Sequence, residues 1–258
     1  MVKTQNSTLT ILITNLINFT MMNKTISKII LGVCLLASAA CTKIDNYEGP
    51  NASFEGRLID VVTGENFQTG TGNIQVRLLQ VSWSSTPAPQ EIPSKVDGTF
   101  KDTKLFAGTY KVIPVGGAFW PVLDTAEVKI GKGSKQDFEL TPYLVINNLT
   151  HSLEGSTLKL NFEIDAPIGA GLPTIIEIQP YVNTTKMVGP GASIFDYSDA
   201  RKVVVNKEWI NMTPADKSIE LSIPDMAAGR TFYVRVGIRV NDSFKSSNLS
   251  QIIEVKVP

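Results

Sequence analysis

Residues 231–240 read Thr-Phe-Tyr-Val-Arg-Val-Gly-Ile-Arg-Val, where Phe232, Val234, Val236, Ile238 and Val240 alternate with Tyr233, Arg235 and Arg239. A period of two places successive side chains on opposite faces of an extended strand, so one face of this segment is written for a core. The pattern recurs on either side. Leu158, Leu160, Phe162 and Ile164 alternate with Lys159, Asn161 and Glu163, then Ile219, Leu221 and Ile223 precede Pro224, and Ile253, Val255 and Val257 close the chain. Further upstream, Phe54, Gly56 and Leu58 lead to a turn at Thr63-Gly64, followed by Ile74, Val76 and Leu78. Asp97-Gly98 predicts a hairpin between residues 92–96 and 99–101. Tyr110 and Val112 run into the break Pro114-Val115-Gly116-Gly117, after which Ala126, Val128, Ile130, Phe138 and Leu140 complete the first set. No segment after Phe54 keeps a helical period for three turns. The expected fold is all-β, with two tandem Greek-key sandwiches over residues 52–141 and 142–258. Residues 166–203, broken by Pro and Gly, fit the period poorly and are expected to hold long loops.

The chain has 258 residues, 43% apolar and 19% charged, enough for a sizeable core. Lys and Arg together number 24, as do Asp and Glu, so no overall basic field draws it to nucleic acid. The single histidine, His151, and the two cysteines, Cys34 and Cys41, leave clustered metal sites and Ser–His or Cys–His nucleophile pairs without support. No enzyme activity and no cofactor are expected. Asp165, Asp196 and Asp199 match no calcium-loop spacing.

Residues 22–41, Met-Asn-Lys-Thr-Ile-Ser-Lys-Ile-Ile-Leu-Gly-Val-Cys-Leu-Leu-Ala-Ser-Ala-Ala-Cys, join Lys24 and Lys28 to a short apolar run and the small residues Ser38, Ala39 and Ala40. This is the order of a secretory signal, with an apolar run too short to span a bilayer permanently. Met21 or Met22 makes a better start than Met1, so residues 1–21 are read as upstream of the true start and 1–40 as the removed signal. Removal takes away Lys3, Lys24 and Lys28 and leaves 21 basic against 24 acidic side chains. Residues 41–51, polar and punctuated by Gly49 and Pro50, are read as a tether.

Three resemblances attach to these residues. Ala39-Ala40-Cys41 resembles the lipobox of bacterial lipoproteins, with Ser38 in place of the commoner Leu; this implies that Cys41 becomes an acylated N-terminus holding the chain on a membrane. An ordinary cleaved signal beside a chance cysteine is the alternative. Gly56-Arg-Leu-Ile-Asp-Val-Val-Thr-Gly64, Asp97-Gly-Thr-Phe100 and Leu105-Phe-Ala-Gly-Thr-Tyr110 resemble the carboxypeptidase-regulatory or transthyretin-like module, in which the Tyr phenol bonds backbone across the corner between sheets. Met226-Ala-Ala-Gly229-Arg-Thr-Phe232 is similar to the corresponding corner of fibronectin type III modules, with Phe232 where those carry Tyr. As a whole, the mature chain resembles a family of uncharacterised Bacteroidetes lipoproteins encoded beside SusC-like transporters and SusD-like glycan-binding lipoproteins. The resemblance implies an outer-membrane, cell-surface place in glycan uptake, with oligosaccharide or SusC- and SusD-like proteins as partners.

Sugar binding calls for flat aromatic faces flanked by carboxylates, amides or Arg. The candidate glycan-binding residues are Trp83, Trp120 and Phe119, with Trp83 and Trp120 together as the platform; Trp209, Tyr181 and Tyr197 lie outside the clean alternation as well. For each, a loop ring folded back onto its own core is the plainer reading. Asp124-Thr125-Ala126 matches a short bacterial O-glycosylation pattern. The function expected is a non-enzymatic, membrane-anchored accessory of glycan uptake. A structural spacer docking other envelope proteins comes second, and a glycoside hydrolase or esterase last.

Overall fold

A computed structural model describes residues 49–258. The expected signal, the acylation at Cys41 and most of the tether lie outside the described residues. The first sandwich contains β1 (Ala52–Asp60), β2 (Gln75–Leu79), β3 (Gln90–Pro93), β4 (Thr99–Leu105), β5 (Gly108–Val115), β6 (Ala126–Ile130), β7 (Ser134–Lys135) and β8 (Phe138–Leu140). One sheet runs β4-β1-β7, with β8 also paired to β1; the other runs β3-β2-β5-β6. Phe54, Leu58, Val76, Leu78, Ile92, Phe100, Tyr110 and Val112 fill the space between them, as the alternation requires.

The second sandwich contains β9 (Val145–Glu154), β10 (Thr157–Asp165), β11 (Ile175–Asn183), the short helix α1 (Phe195–Ser198), β12 (Val203–Lys207), α2 (Pro214–Lys217), β13 (Ser218–Ile223), β14 (Thr231–Val240), β15 (Ser247–Leu249) and β16 (Ile253–Lys256). Its sheets run β13-β10-β9 and β12-β11-β14-β15, with β16 also on β14. Leu158, Leu160, Phe162, Ile175, Ile178, Val234, Val236 and Ile238 pack between them.

Two local expectations are corrected. The Asp97-Gly98 turn does not close a hairpin within one sheet, because β3 and β4 belong to different sheets and meet only through the bridge between Ser94 and Phe100. Gly98 N–H bonds Lys95 O and Lys95 N–H bonds Thr99 O, so this tight turn carries the chain across the sandwich. The irregular stretch holds a central strand, β11. Its sequence hides the period because both faces are covered: Ile175, Ile178 and Val182 face the main core, while Tyr181 packs with Val188 and Leu249 outside the sheet. Pro180 is tolerated because its partner Val236 spends both backbone groups elsewhere: its N–H bonds Ser250 Oγ and its carbonyl accepts Ser250 N–H.

Both corners are tied by a phenol. Tyr110 Oη donates to Phe106 O at 2.8 Å, the bond expected from the sequence. At the second corner Phe232 has no hydroxyl, and Tyr197 of α1 supplies one. Its ring meets Phe232 edge-on at 5.7 Å and its Oη donates to Asp225 O at 3.0 Å.

Candidate functional site

The predicted aromatics do not form one platform. Trp83 is 73% exposed on the turn after β2, where Ser82 N–H bonds Thr109 O at the start of β5. Phe119 and Trp120 follow the other end of β5, so the length of that strand, roughly 20 Å, separates the two tryptophans. Phe119 is 4% exposed and meets Phe67 edge-on inside the first core, so it offers no face to a ligand. Trp120 is half-buried, packs against the second core and meets Tyr143 edge-on at 5.3 Å. Trp209 is half-buried against the second core, with Lys217 Nζ 3.9 Å from its ring centre. Tyr181 is buried, Tyr197 serves the corner, and His151 is exposed on β9 opposite Leu160. Asp165 Oδ1 accepts the N–H of Ala166, Asp199 pairs with Lys202, and Asp196 lies in the first turn of α1; no group of three or more metal-ligating side chains occurs among the described residues.

What the loop after β5 builds is a junction. Gly116 and Gly117 both adopt left-handed backbone, φ +77° and +80°, and a Cβ on Gly117 would lie 2.5 Å from the side chain of Ile74. This double glycine turns the chain so that Ala118, Phe119 and Trp120 lie beside the connection between sandwiches. Trp120 N–H bonds Thr141 O and Tyr143 N–H bonds Ala118 O. Asn248 closes the ladder: its Nδ2 donates to Ala118 O at 2.7 Å and its Oδ1 accepts Leu144 N–H at 3.0 Å. Nearby, Arg235 of β14, 0% exposed, sends Nη1 to Thr69 O at 3.1 Å and Nη2 to Ser250 O at 2.7 Å. Burial lowers its guanidinium pKa to about 10, which leaves it charged at neutral pH.

Along this junction lies a groove of about 470 Å³, lined among others by Gln75, Arg77, Glu91, Pro121, Tyr143 and Phe244. Arg77 and Glu91 face each other across β2 and β3, and Arg77 Nε and Nη2 both reach Glu91 Oε1, at 2.9 and 2.6 Å. Phe244, 67% exposed, crowns the β14–β15 turn. That turn is held rigidly: Asp242 Oδ1 accepts Ser246 N–H, Val240 N–H bonds Ser246 O, and Arg239 reaches Lys245 O below. Burial, aided by the charge of Asp242, pushes the Tyr143 phenol up, so it stays protonated at neutral pH. An exposed ring lining one groove with an Arg–carboxylate pair and an amide combines a stacking face with hydrogen-bond donors and acceptors, the combination that suits an apolar pyranose face and its hydroxyls. A second cavity at the junction, about 270 Å³ and lined by Asp60, Asn66, Gln68, Leu149 and Ile253, has no exposed aromatic ring. The sequence reading missed Phe244 because a single aromatic in Asn241-Asp-Ser-Phe-Lys-Ser-Ser carries no period; its setting between Asp242 and two serines is the only signal of a turn tip.

The architecture defines an all-β protein of two joined sandwiches with a polar, aromatic-tipped groove at their junction. Residues 52–141 match the N-terminal domain of the DUF3823 proteins of unknown function, and residues 144–254 match the companion DUF3823_C domain of unknown function; the chain belongs to the DUF3823 family. Its fold is similar to that of a DUF3823 family protein from Bacteroides uniformis ATCC 8492, at 21% identity and TM-score 0.71, with 81% of this chain and all of that one covered. The same coverage holds for a DUF3823 protein from Parabacteroides merdae ATCC 43184, at 21% identity and TM-score 0.66. It holds again for a Bacteroides uniformis ATCC 8492 protein described as a "putative carbohydrate binding protein", at 23% identity and TM-score 0.67. No curated protein matches the chain.

Proposed function

We propose that this chain is a lipid-anchored protein of the bacterial outer-membrane surface that binds oligosaccharide without acting on it, as an accessory of SusC- and SusD-like glycan uptake. The observation that carries the reading is the junction groove, which the exposed Phe244 lines together with Arg77, Glu91 and Gln75. The relative described as carbohydrate-binding supports it, as does the signal and acylation pattern ending at Cys41. The phenol-tied corner at Tyr110 supports a transthyretin-like first module, and the three-plus-five sheet arrangement supports a fibronectin III-like second one.

Calorimetry against a panel of polysaccharides and their oligosaccharides tests the reading. Wild type and Trp83→Ala should bind one member alike, Phe244→Ala and Arg77→Ala should bind it at least tenfold less tightly, and no member should be cleaved. A chain that binds nothing, or binds equally in all four forms, overturns the groove. The spacer reading has its own observation: edge strand β12 exposes Val203 and Val204, and Ile210 stands exposed just beyond it. Retention of an envelope protein that is lost on Val204→Lys, together with no glycan affinity, would select it.

A further inference from the structure

The end of the first sandwich remote from the junction gathers four segments. The described chain begins there, since Ala52 pairs with Leu105 and Ser53 N–H bonds Gly131 O. The β4–β5 turn presents Phe106, 47% exposed. The turn after β2, which carries Trp83, docks on the same place: Thr109 N–H bonds Ser82 Oγ at 3.0 Å, and a side chain on Gly108 would strike Ser82 and Gln80. The loop between β6 and β7 adds Lys132, tied down on one side by Gly133 N–H to Ser53 Oγ at 2.9 Å. Lys132 and Lys104 are both exposed, and the nearest acid on β4, Asp102, spends an oxygen on the backbone N–H of Lys104.

We infer that this end is a membrane-facing tip which seats Trp83 and Phe106 in the headgroup layer of a lipid bilayer, with Lys104 and Lys132 toward anionic phosphates. The inference rests on the lipid-anchor reading above. Three observations choose a bilayer as the occupant. Only eight residue steps separate Cys41 from Gly49, a span of at most roughly 30 Å, so an acylated Cys41 would tether the first sandwich to the membrane by this end. The opposite end of the first sandwich is taken up by the second one, bonded through Ala118, Thr69 and Asn248. The side chains on offer, an indole and a phenyl ring flanked by lysines, are those that favour the interface between water and hydrocarbon. Large aromatics are seldom left this open in a soluble sandwich.

The test uses the full chain expressed in a bacterium, isolated with the membranes and reconstituted in phosphatidylethanolamine–phosphatidylglycerol vesicles whose acyl chains carry bromine as a contact quencher. Tryptophans stand at 83, 120 and 209 only. Wild-type emission should be partly quenched, and Trp83→Phe should lose the quenched component while Trp120 and Trp209 continue to emit unquenched. Phe106→Ser should shift Trp83 emission to the red. A chain recovered in membranes whose emission is not quenched, or is quenched equally in Trp83→Phe, overturns the tip and leaves the anchor standing. A chain absent from the membrane fraction overturns the anchor, and the tip with it.

Discussion

Arg235 of the second sandwich donates from Nη1 to the backbone carbonyl of Thr69 in the first, at 3.1 Å, with its side chain entirely out of solvent. Its other hydrogen bonds also end on uncharged oxygens, those of Ser250, Val188 and Gln68. A buried cation satisfied in this way is held by geometry, and removing it strands the carbonyls it served. Arg235→Met should lower stability by about 2–4 kcal/mol. Scanning calorimetry should then resolve two melting transitions in the variant where the wild type is expected to show one. An unchanged single transition would mean that the guanidinium does not couple the sandwiches.

Glu55 on β1 lies between Lys101 and Lys135, with Nζ to carboxylate distances of 2.7 Å on both sides. Hydrogen bonds from Lys101 and Lys135, and then their charges, lower its pKa from the ordinary 4.5 to about 2. A carboxylate with a depressed folded-state value stabilises the fold above about pH 4.5, and that contribution is lost as pH falls toward 2. Glu55→Gln should flatten the wild-type decline in urea midpoint between pH 5 and pH 2. Because the pair is open to solvent, 1 M salt should shrink the difference.

Tyr110→Phe removes only the hydroxyl bonded to Phe106 O and should cost about 1 kcal/mol by denaturant titration. Burial also holds the phenols of Tyr110, Tyr143 and Tyr181 above their ordinary value of 10. An absorbance titration should therefore show late-ionising tyrosines, one fewer in Tyr110→Phe.

Gly56→Ala should cost about 3 kcal/mol or more, because the new methyl group would collide with the backbone carbonyl of Gln136, where the chain passes from β7 to β8. Gly131→Ala meets nothing within 4 Å and should be nearly silent. Equal effects at the two sites would show that the β1–β8 packing yields more readily than its geometry implies.

Phe244→Ala should weaken the glycan identified by calorimetry by about 1.5 kcal/mol, roughly tenfold, with no change in melting temperature. The ring is exposed and braces no core, so a fall in stability would place it in the fold rather than in the site.

What the sequence made legible was whatever repeats locally. The alternation in 158–164 and 232–240 located β10 and β14, and the Gly-Thr-Tyr at 108–110 located a bonded corner. It failed where a residue answers to something distant. Strand β11 has no period because Tyr181 and Ile178 are both covered, from opposite sides. Arg235 looked like an outward residue, since its acceptor Thr69 lies 166 positions away. The site suffered in the same way: Arg77, Glu91 and Phe244 come from both sandwiches, and only the folded junction brings them to one groove. Phe119 and Trp120 are candidates for a ligand face in the sequence because both follow a glycine break, a signal that marks a loop but not where its rings turn, and both fold back onto a core as the plainer reading has it.

Those two neighbours divide between the modules, Phe119 into the first core and Trp120 onto the second. One peptide bond thus stitches two hydrophobic interiors together. A load placed on one module would pass to the other through that stitch, where a flexible linker would absorb it. Cutting the gene between the two modules would not release two intact proteins, because the first would carry away Ala118 and Trp120 from the interior of the second.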